Sequence, residues 1–236
     1  MNKVNIRINR KQLSKNNLPK NGSTANIDCS VKKGKKHMKC VFFLLFTFVF
    51  FTSVTAKPVT LIAKYNIYML GANVGEFSVV QTNIDGNVNI DAITAVEINL
   101  LFSYRIKYVQ KTEYNQGVLQ NANVETYKNG KLNSTMSMSY TTDAYELILN
   151  GDTTNFSGLI TYSGSLIYFN EPKTTTRIFK ERNAEMRQIS PEDNHTYVIK
   201  NEKGKLLNRY FYENGVLQKA TMRHALGTVE LRRVNE

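Results

Sequence analysis

From Val59 onward the chain alternates apolar and polar residues with a period of two. In "LNSTMSMSY", Leu132, Ser134, Met136, Met138 and Tyr140 share one face, and Asn133, Thr135, Ser137 and Ser139 the other. In "INLLFSYRIKY" one face carries Ile98, Leu100, Phe102, Tyr104, Ile106 and Tyr108; in "VNIDAITAV" it carries Val88, Ile90, Ala92, Thr94 and Val96. Successive side chains of a strand point to opposite sides, so this is the pattern of antiparallel strands with one buried face. Asp85-Gly86, Asn129-Gly130, Asn150-Gly151, Lys203-Gly204 and Asn214-Gly215 punctuate the strands. Glycine takes the positive φ of a two-residue hairpin turn, and Asn or Asp before it tolerates the same region. The pattern predicts a mainly β domain: an antiparallel meander curled into a half-barrel or open barrel, with a sandwich as the other arrangement. "GANVG" at Gly71–Gly75 reads as a turn or bulge between two strands, since no Lys-Ser/Thr follows to make it a phosphate loop.

One piece repeats. "YNQGVLQNANV" at Tyr114–Val124 echoes "YENGVLQKATM" at Tyr212–Met222. Each is a Tyr, a glycine turn and a strand, with Val118, Ala122 and Val124 expected on one face of the first copy and Val216, Ala220 and Met222 on one face of the second. Two copies make no solenoid. They are either two similar hairpins of one sheet or two equivalent halves around a cavity. One stretch breaks the alternation: Leu159, Tyr162, Leu166 and Phe169 are spaced by three and four. We expect one short helix near Ser163–Phe169, stopped by Pro172 and placed to plug the mouth of the curled sheet.

The apolar run from Cys40 to Phe51 contains six phenylalanines and is too short for a membrane-spanning helix of roughly 20 residues. Lys32, Lys33, Lys35, Lys36 and Lys39 precede it, and the small-residue exit Val54-Thr55-Ala56 follows. A basic region, a short apolar region and a small-residue exit describe a secretory signal peptide over residues 38–56, with cleavage after Ala56. An uncleaved membrane anchor and a buried helix are the alternatives. Residues 1–37 are polar and aperiodic: a disordered preface or the product of a start assigned upstream of Met38. Residues 57–236 then form a single β domain.

The formal net charge of +12 suggests nucleic acid at first sight. Residues 1–56 hold 11 of the 31 Lys and Arg and one of the 19 acids, leaving a body of 20 basic and 18 acidic residues. A body that close to neutral has little pull on phosphate backbones, and no nucleic-acid partner is expected. Both cysteines, Cys29 and Cys40, also fall in the first 56 residues. The body therefore offers no disulfide, thiolate metal site or cysteine nucleophile.

No catalytic constellation stands out. His195 lies in the polar turn "PEDNHTY"; His224 ends a strand on the same face as Val216, Ala220 and Met222. Neither has a second histidine at metal-ligand spacing. "YSGSL" sets Ser163 and Ser165 about Gly164 but lacks the glycines of a nucleophile elbow. Glu171, Glu192 and Asp193 sit near turns, where solvated acids are ordinary. Asn133, Asn155 and Asn194 head glycosylation-type triplets that an Asn- and Thr-rich chain also produces by chance. What remains is tyrosine: all 13 lie in the body, several in strands, where an apolar ring with a hydroxyl suits a partly wet cavity wall as well as ordinary strand packing.

The stretches "YNIYMLGANVGEF", "YSGSLIYFNEP" and "YFYENGVLQKA" resemble a family of secreted Gram-negative bacterial proteins defined only as a domain of unknown function, and more distantly other envelope β half-barrel families. Tyr65 and Gly71 fit the opening motif; Tyr212, Gly215 and Leu217 fit the late hairpin. The resemblance implies a curled antiparallel sheet similar in outline to periplasmic lipoprotein carriers. It implies no active-site residues.

Together these features lead us to expect an exported protein of the periplasm or outer surface. It would bind an apolar or amphipathic ligand, lipid among them, along a face carrying Tyr104, Tyr108, Met136, Met138, Tyr140, Met222 and His224. No catalytic residues, metal, cofactor or membrane span after cleavage are expected. An envelope scaffold that binds another protein is the alternative; a hydrolase with unrecognised carboxylates ranks third.

Overall fold

A computed structural model of the chain describes residues 57–99, 103–224 and 227–234. The preface expected at 1–37, the leader expected at 38–56 with cleavage after Ala56, and Leu100 and Phe102 lie outside the described residues. Eight strands follow one another up and down: β1 (Val59–Met69), β2 (Ala72–Ile84), β3 (Asn87–Asn99), β4 (Ser103–Asn115), β5 (Val118–Lys128), β6 (Lys131–Thr141), β7 (Ala144–Leu149) and β8 (Asp152–Ser157). A long connection leads to a small hairpin, β9 (Arg177–Lys180) and β10 (Glu185–Gln188). The second meander is β11 (Ser190–Asp193), β12 (Thr196–Lys200), β13 (Leu206–Glu213), β14 (Val216–His224) and β15 (Gly227–Arg233).

The main sheet has 13 antiparallel strands in the order β11-β12-β13-β14-β15-β1-β2-β3-β4-β5-β6-β7-β8. The returning strand β15 pairs with β1, setting Tyr65 opposite Arg233 and Ile67 opposite Leu231. β8 and β11 are the two edges and do not pair with each other, so the sheet is open rather than closed. This is the mainly β, curled meander that the alternation predicts.

Four of the five expected dipeptide turns are formed; at Lys203-Gly204 only the glycine has a positive φ, and a longer loop at 201–205 joins β12 to β13. Asp85-Gly86, Asn129-Gly130, Asn150-Gly151 and Asn214-Gly215 have positive φ at both residues, as do Leu70-Gly71 and Gln116-Gly117. That is the turn whose twist matches the flanking strands. The "GANVG" stretch carries both a turn and a bulge: the register slips between Ile67 and Tyr68, with Ile67 opposite Gly75 and Tyr68 opposite Asn73. The expected continuous strand from Ile98 to Tyr108 is instead a hairpin, because β3 ends at Asn99 and β4 starts at Ser103. Its described apolar residues still share a face, since Ile98 pairs with Tyr104, Val96 with Ile106 and Thr94 with Tyr108.

The repeat is two bulged hairpins of the same build. The register shifts between Glu113 and Tyr114 in one and between Phe211 and Tyr212 in the other. The bulge turns Leu119 and Leu217 inward, each with no exposed surface, where strict alternation had placed Val118 and Val216. Gln120 and Gln218 occupy equivalent bulge positions, and each donates its side-chain amide to the carbonyl two residues earlier.

The expected helix near Ser163–Phe169 is a single 3-10 turn at Leu166–Tyr168, and a second 3-10 turn spans Glu181–Asn183. Among the described residues no helix is long and apolar enough to cross a membrane. The connection lies inside the curl: Ile160, Ile167, Ile178 and Phe179 join one core cluster with the inward residues of both meanders. It fills part of the concave side and leaves a cavity beside it.

Candidate functional site

Buried tyrosines tie the connection to the sheet. Tyr114, from the first hairpin of the repeat, donates its hydroxyl to Ser163 Oγ at 2.6 Å; Tyr212, its equivalent in the second, donates to the Ile167 carbonyl at 2.8 Å. The two inward leucines beside the bulges are equivalent in turn. Tyr145 donates to the Leu119 carbonyl and Tyr65 to the Leu217 carbonyl, each at 2.9 Å. Tyr168 packs against Phe77 and Tyr65, with ring centres 4.7 and 5.9 Å apart.

The tightest polar cluster surrounds Glu181, at the start of the second 3-10 turn. Its carboxylate accepts the Ser163 hydroxyl, the Ser165 amide at 2.9 Å and the Gly164 amide at 3.1 Å. Glu181, Ser163 and Ser165 are all buried. A carboxylate removed from water requires such donors, and the "YSGSL" loop supplies them. The Ser163 hydroxyl is thus committed to Glu181, with Tyr114 donating to it.

Beside this cluster lies a cavity of about 560 Å3. Ile67, Val96, Ile98 and Ile106 form an apolar wall from β1, β3 and β4. Opposed to them in character are Lys180, Glu181, Arg182 and Arg187 of the β9–β10 hairpin. Tyr108 also borders it, donating to Gln110 Oε1 at 2.7 Å, and Gln110 in turn donates to Thr112 at 3.0 Å. Burial, then the charge of Glu181, pushes the Tyr108 phenol well above its ordinary range; burial does the same to Tyr168. Burial works against the Lys180 ammonium, but the Tyr210 phenol, Glu181 and Glu185 outweigh it and hold that lysine above its usual value. Lys128 lies over the Tyr104 ring, 4.9 Å from its centre.

Of the residues expected from the sequence, Tyr104, Tyr108, Met222 and His224 line this cavity. Met136 and Met138 are buried in the core, and Tyr140 packs on Tyr145 with ring centres 4.9 Å apart. The strand pattern gives the face these residues share but not where the connection covers it. The β9–β10 hairpin was missed: in sequence "FKERNAEMR" looks like a solvated charge run, and nothing local marks Glu181 as buried.

A second cluster lies outside the cavity wall. Glu171, expected to be solvated, has a side chain only 2% exposed. It accepts from Tyr197 at 2.9 Å and shares a 2.8 Å hydrogen bond with His195 Nδ1. Burial alone would raise its pKa, but these partners and Lys173 hold it below the ordinary carboxylate value.

The architecture is that of an open antiparallel β half-barrel, holding its own connecting segment and a mixed apolar and cationic cavity on the concave side. The chain belongs to the DUF6134 family, a domain of unknown function, which matches residues 65–234. No curated protein matches the sequence. Among solved structures it is similar to a beta-barrel-like protein of the domain of unknown function DUF1849 from Brucella abortus. That pair shares 13% identity over 74% of this chain and 95% of the other, with a TM-score of 0.50, and the likeness shows the fold alone.

Proposed function

We propose that the protein is exported, loses its leader after Ala56, and binds an apolar or amphipathic ligand in the concave cavity, in the periplasm or at the outer surface. The cavity of about 560 Å3 carries this reading. Its size falls within the roughly 300–1,000 Å3 of small-molecule sites, which are mostly apolar with a few placed polar groups. Binding is favoured over turnover because Ser163, the serine beside the cavity, is buried and its hydroxyl is held by Glu181.

A scaffold that captures a protein through a sheet edge has less behind it. The edge strand β11 is short, exposed and carries Pro191, Glu192 and Asp193; the other edge, β8, is short and begins with Asp152. Proline and charge are what natural edges use to resist strand addition.

The test is to purify the protein from the exported fraction, extract it with organic solvent and titrate it with an apolar dye. Co-purifying lipid and saturable dye binding are the expected results. Absence of both would remove the reading. Mass spectrometry of the same sample is expected to find an N-terminus at Lys57.

A further inference from the structure

The cavity wall is uneven in charge. Lys128, Lys180, Arg182, Arg187 and Arg223 line it, against two carboxylates, Glu181 and Glu185. Both carboxylates are engaged: Glu181 by the Ser163–Ser165 loop, Glu185 by Arg187 and by Asn183. Among the described residues no carboxylate forms an ion pair with Lys128, Arg182 or Arg223.

Two wall atoms also lack a hydrogen-bond partner. One is Oγ1 of Thr126, a residue 4% exposed; the other is Nε of Arg187. An unsatisfied buried polar atom is destabilising, and native structures seldom leave one without a reason. Thr126 is the register partner of Tyr108. The Arg182 charge acts on the Tyr108 phenol, and the turn bearing Arg182 packs on β5 and β6. A buried hydroxyl without a hydrogen-bond partner and a guanidinium without an ion-pair partner therefore line the same cavity as Tyr108.

Resting on the ligand-site reading above, we infer that the cavity takes a single-chain amphiphile with an anionic head, carboxylate or phosphate. The head is received by Arg182, Lys128 and the Thr126 hydroxyl, and the chain lies along Ile67, Ile98 and Ile106. A guanidinium and a hydroxyl donor suit an oxyanion, and an apolar wall beside them suits an alkyl tail.

The experiment displaces N-phenylnaphthylamine, a neutral apolar dye, from the full chain. The competitors are dodecanoate, dodecyl phosphate, dodecanol and dodecyltrimethylammonium, each below its micelle or solubility limit, and inorganic phosphate. Dodecanoate and dodecyl phosphate are expected to bind about tenfold more tightly than the neutral and cationic chains, and the stronger of the two identifies the head. Arg182→Glu is expected to abolish that preference. Thr126→Val, nearly equal in shape, is expected to weaken only the anionic chains. Urea midpoints confirm that both variants fold.

Equal binding of all four chains, or an Arg182→Glu protein that keeps the anion preference, overturns the inference and leaves the ligand-site reading intact. Displacement by inorganic phosphate as strong as by dodecyl phosphate also overturns it, because the chain would then contribute nothing. Absence of saturable dye binding and of any binding by the four chains overturns both.

Discussion

Tyr65 donates its hydroxyl to the carbonyl of Leu217, 152 residues later, at 2.9 Å. Tyr145 does the same for Leu119, the equivalent leucine of the other bulged hairpin, and also accepts the Ile160 amide at 3.2 Å. A bulge leaves a residue out of the ladder, and here each bulged hairpin has a buried tyrosine bonded to its inward leucine. Tyr65→Phe keeps the ring and removes only the donor. It is expected to cost about 1–3 kcal/mol, the penalty of a buried acceptor left alone. Tyr145→Phe is expected to cost at least as much. The two sites share no partner, so the double variant should lose about the sum. Tyr127→Phe, whose hydroxyl bonds the exposed Glu125, should change stability by under about 0.5 kcal/mol. Urea unfolding of the four variants checks all of this.

Glu181 holds the connection in place. In Glu181→Gln one oxygen becomes a donor that must face an N–H or the Ser163 hydroxyl, so at least one of the three hydrogen bonds is lost. A loss of about 3 kcal/mol is expected, as for other buried charged partners. Amide hydrogen exchange should rise first in the segment around Gly164 and Ser165, before the strands open. Exchange that rises uniformly would mean that Glu181 has no local role. Gly164→Ala is expected to act alike, because a Cβ there would lie 2.7 Å from Glu181 Oε2.

Much of this fold is legible in the chain. The side-chain period of two survives even where β3 and β4 are separate strands, since Ile98 and Tyr104 face each other across the hairpin. The dipeptide turns are local chemistry and sit where their residues require. Bulges are less legible: the sequence shows the "GVLQ-x-A" repeat, but only pairing with Tyr114 and Tyr212 shows that Leu119 and Leu217 face inward. The cavity lay further from view. Tyr108 and Met222 could be placed on the concave face, whereas Arg182 and Glu181 arrive there through a long connection whose path no periodicity encodes.

At Gly75 the backbone of β3 leaves no room for a side chain on β2. A Cβ on that glycine would stand 2.1 Å from the Ala95 carbonyl oxygen, a backbone atom that cannot swing aside. Gly75→Ala is therefore expected to push β2 from β3 and cost about 1–3 kcal/mol or more. Gly130→Ala meets no atom within 4 Å but strains a positive φ of 78°, and is expected to cost about 1 kcal/mol. Thermal melts of the two variants should rank in that order. Because Val74, the bulged neighbour, lines the cavity, Gly75→Ala should also weaken dye binding, and Gly130→Ala should not.

Stability should fall at both ends of the pH scale, for opposite reasons. Glu171 and Glu185 are held below the ordinary carboxylate value of 4.5 by their hydrogen-bond partners, against burial; Glu230 is lowered first by Arg232. A carboxylate whose folded pKa is depressed stabilises the fold above its unfolded pKa, and that contribution is lost as pH falls through the folded value. Melting temperature should thus decline below about pH 4.5, and His195→Ala should flatten that decline by removing one partner of Glu171. At the alkaline end the tyrosines act. Burial, then Glu171, pushes the Tyr197 phenol up to about 12, and burial raises Tyr65, Tyr114 and Tyr212 further. A phenol whose folded pKa is raised stabilises the fold below its unfolded value of 10, and this is lost as pH climbs. Phenolate absorbance should therefore show Tyr65, Tyr114, Tyr197 and Tyr212 ionising only together with loss of the β-sheet circular dichroism signal. Simultaneous titration of all 13 tyrosines in the folded protein would contradict the buried network on which both halves of the curl depend.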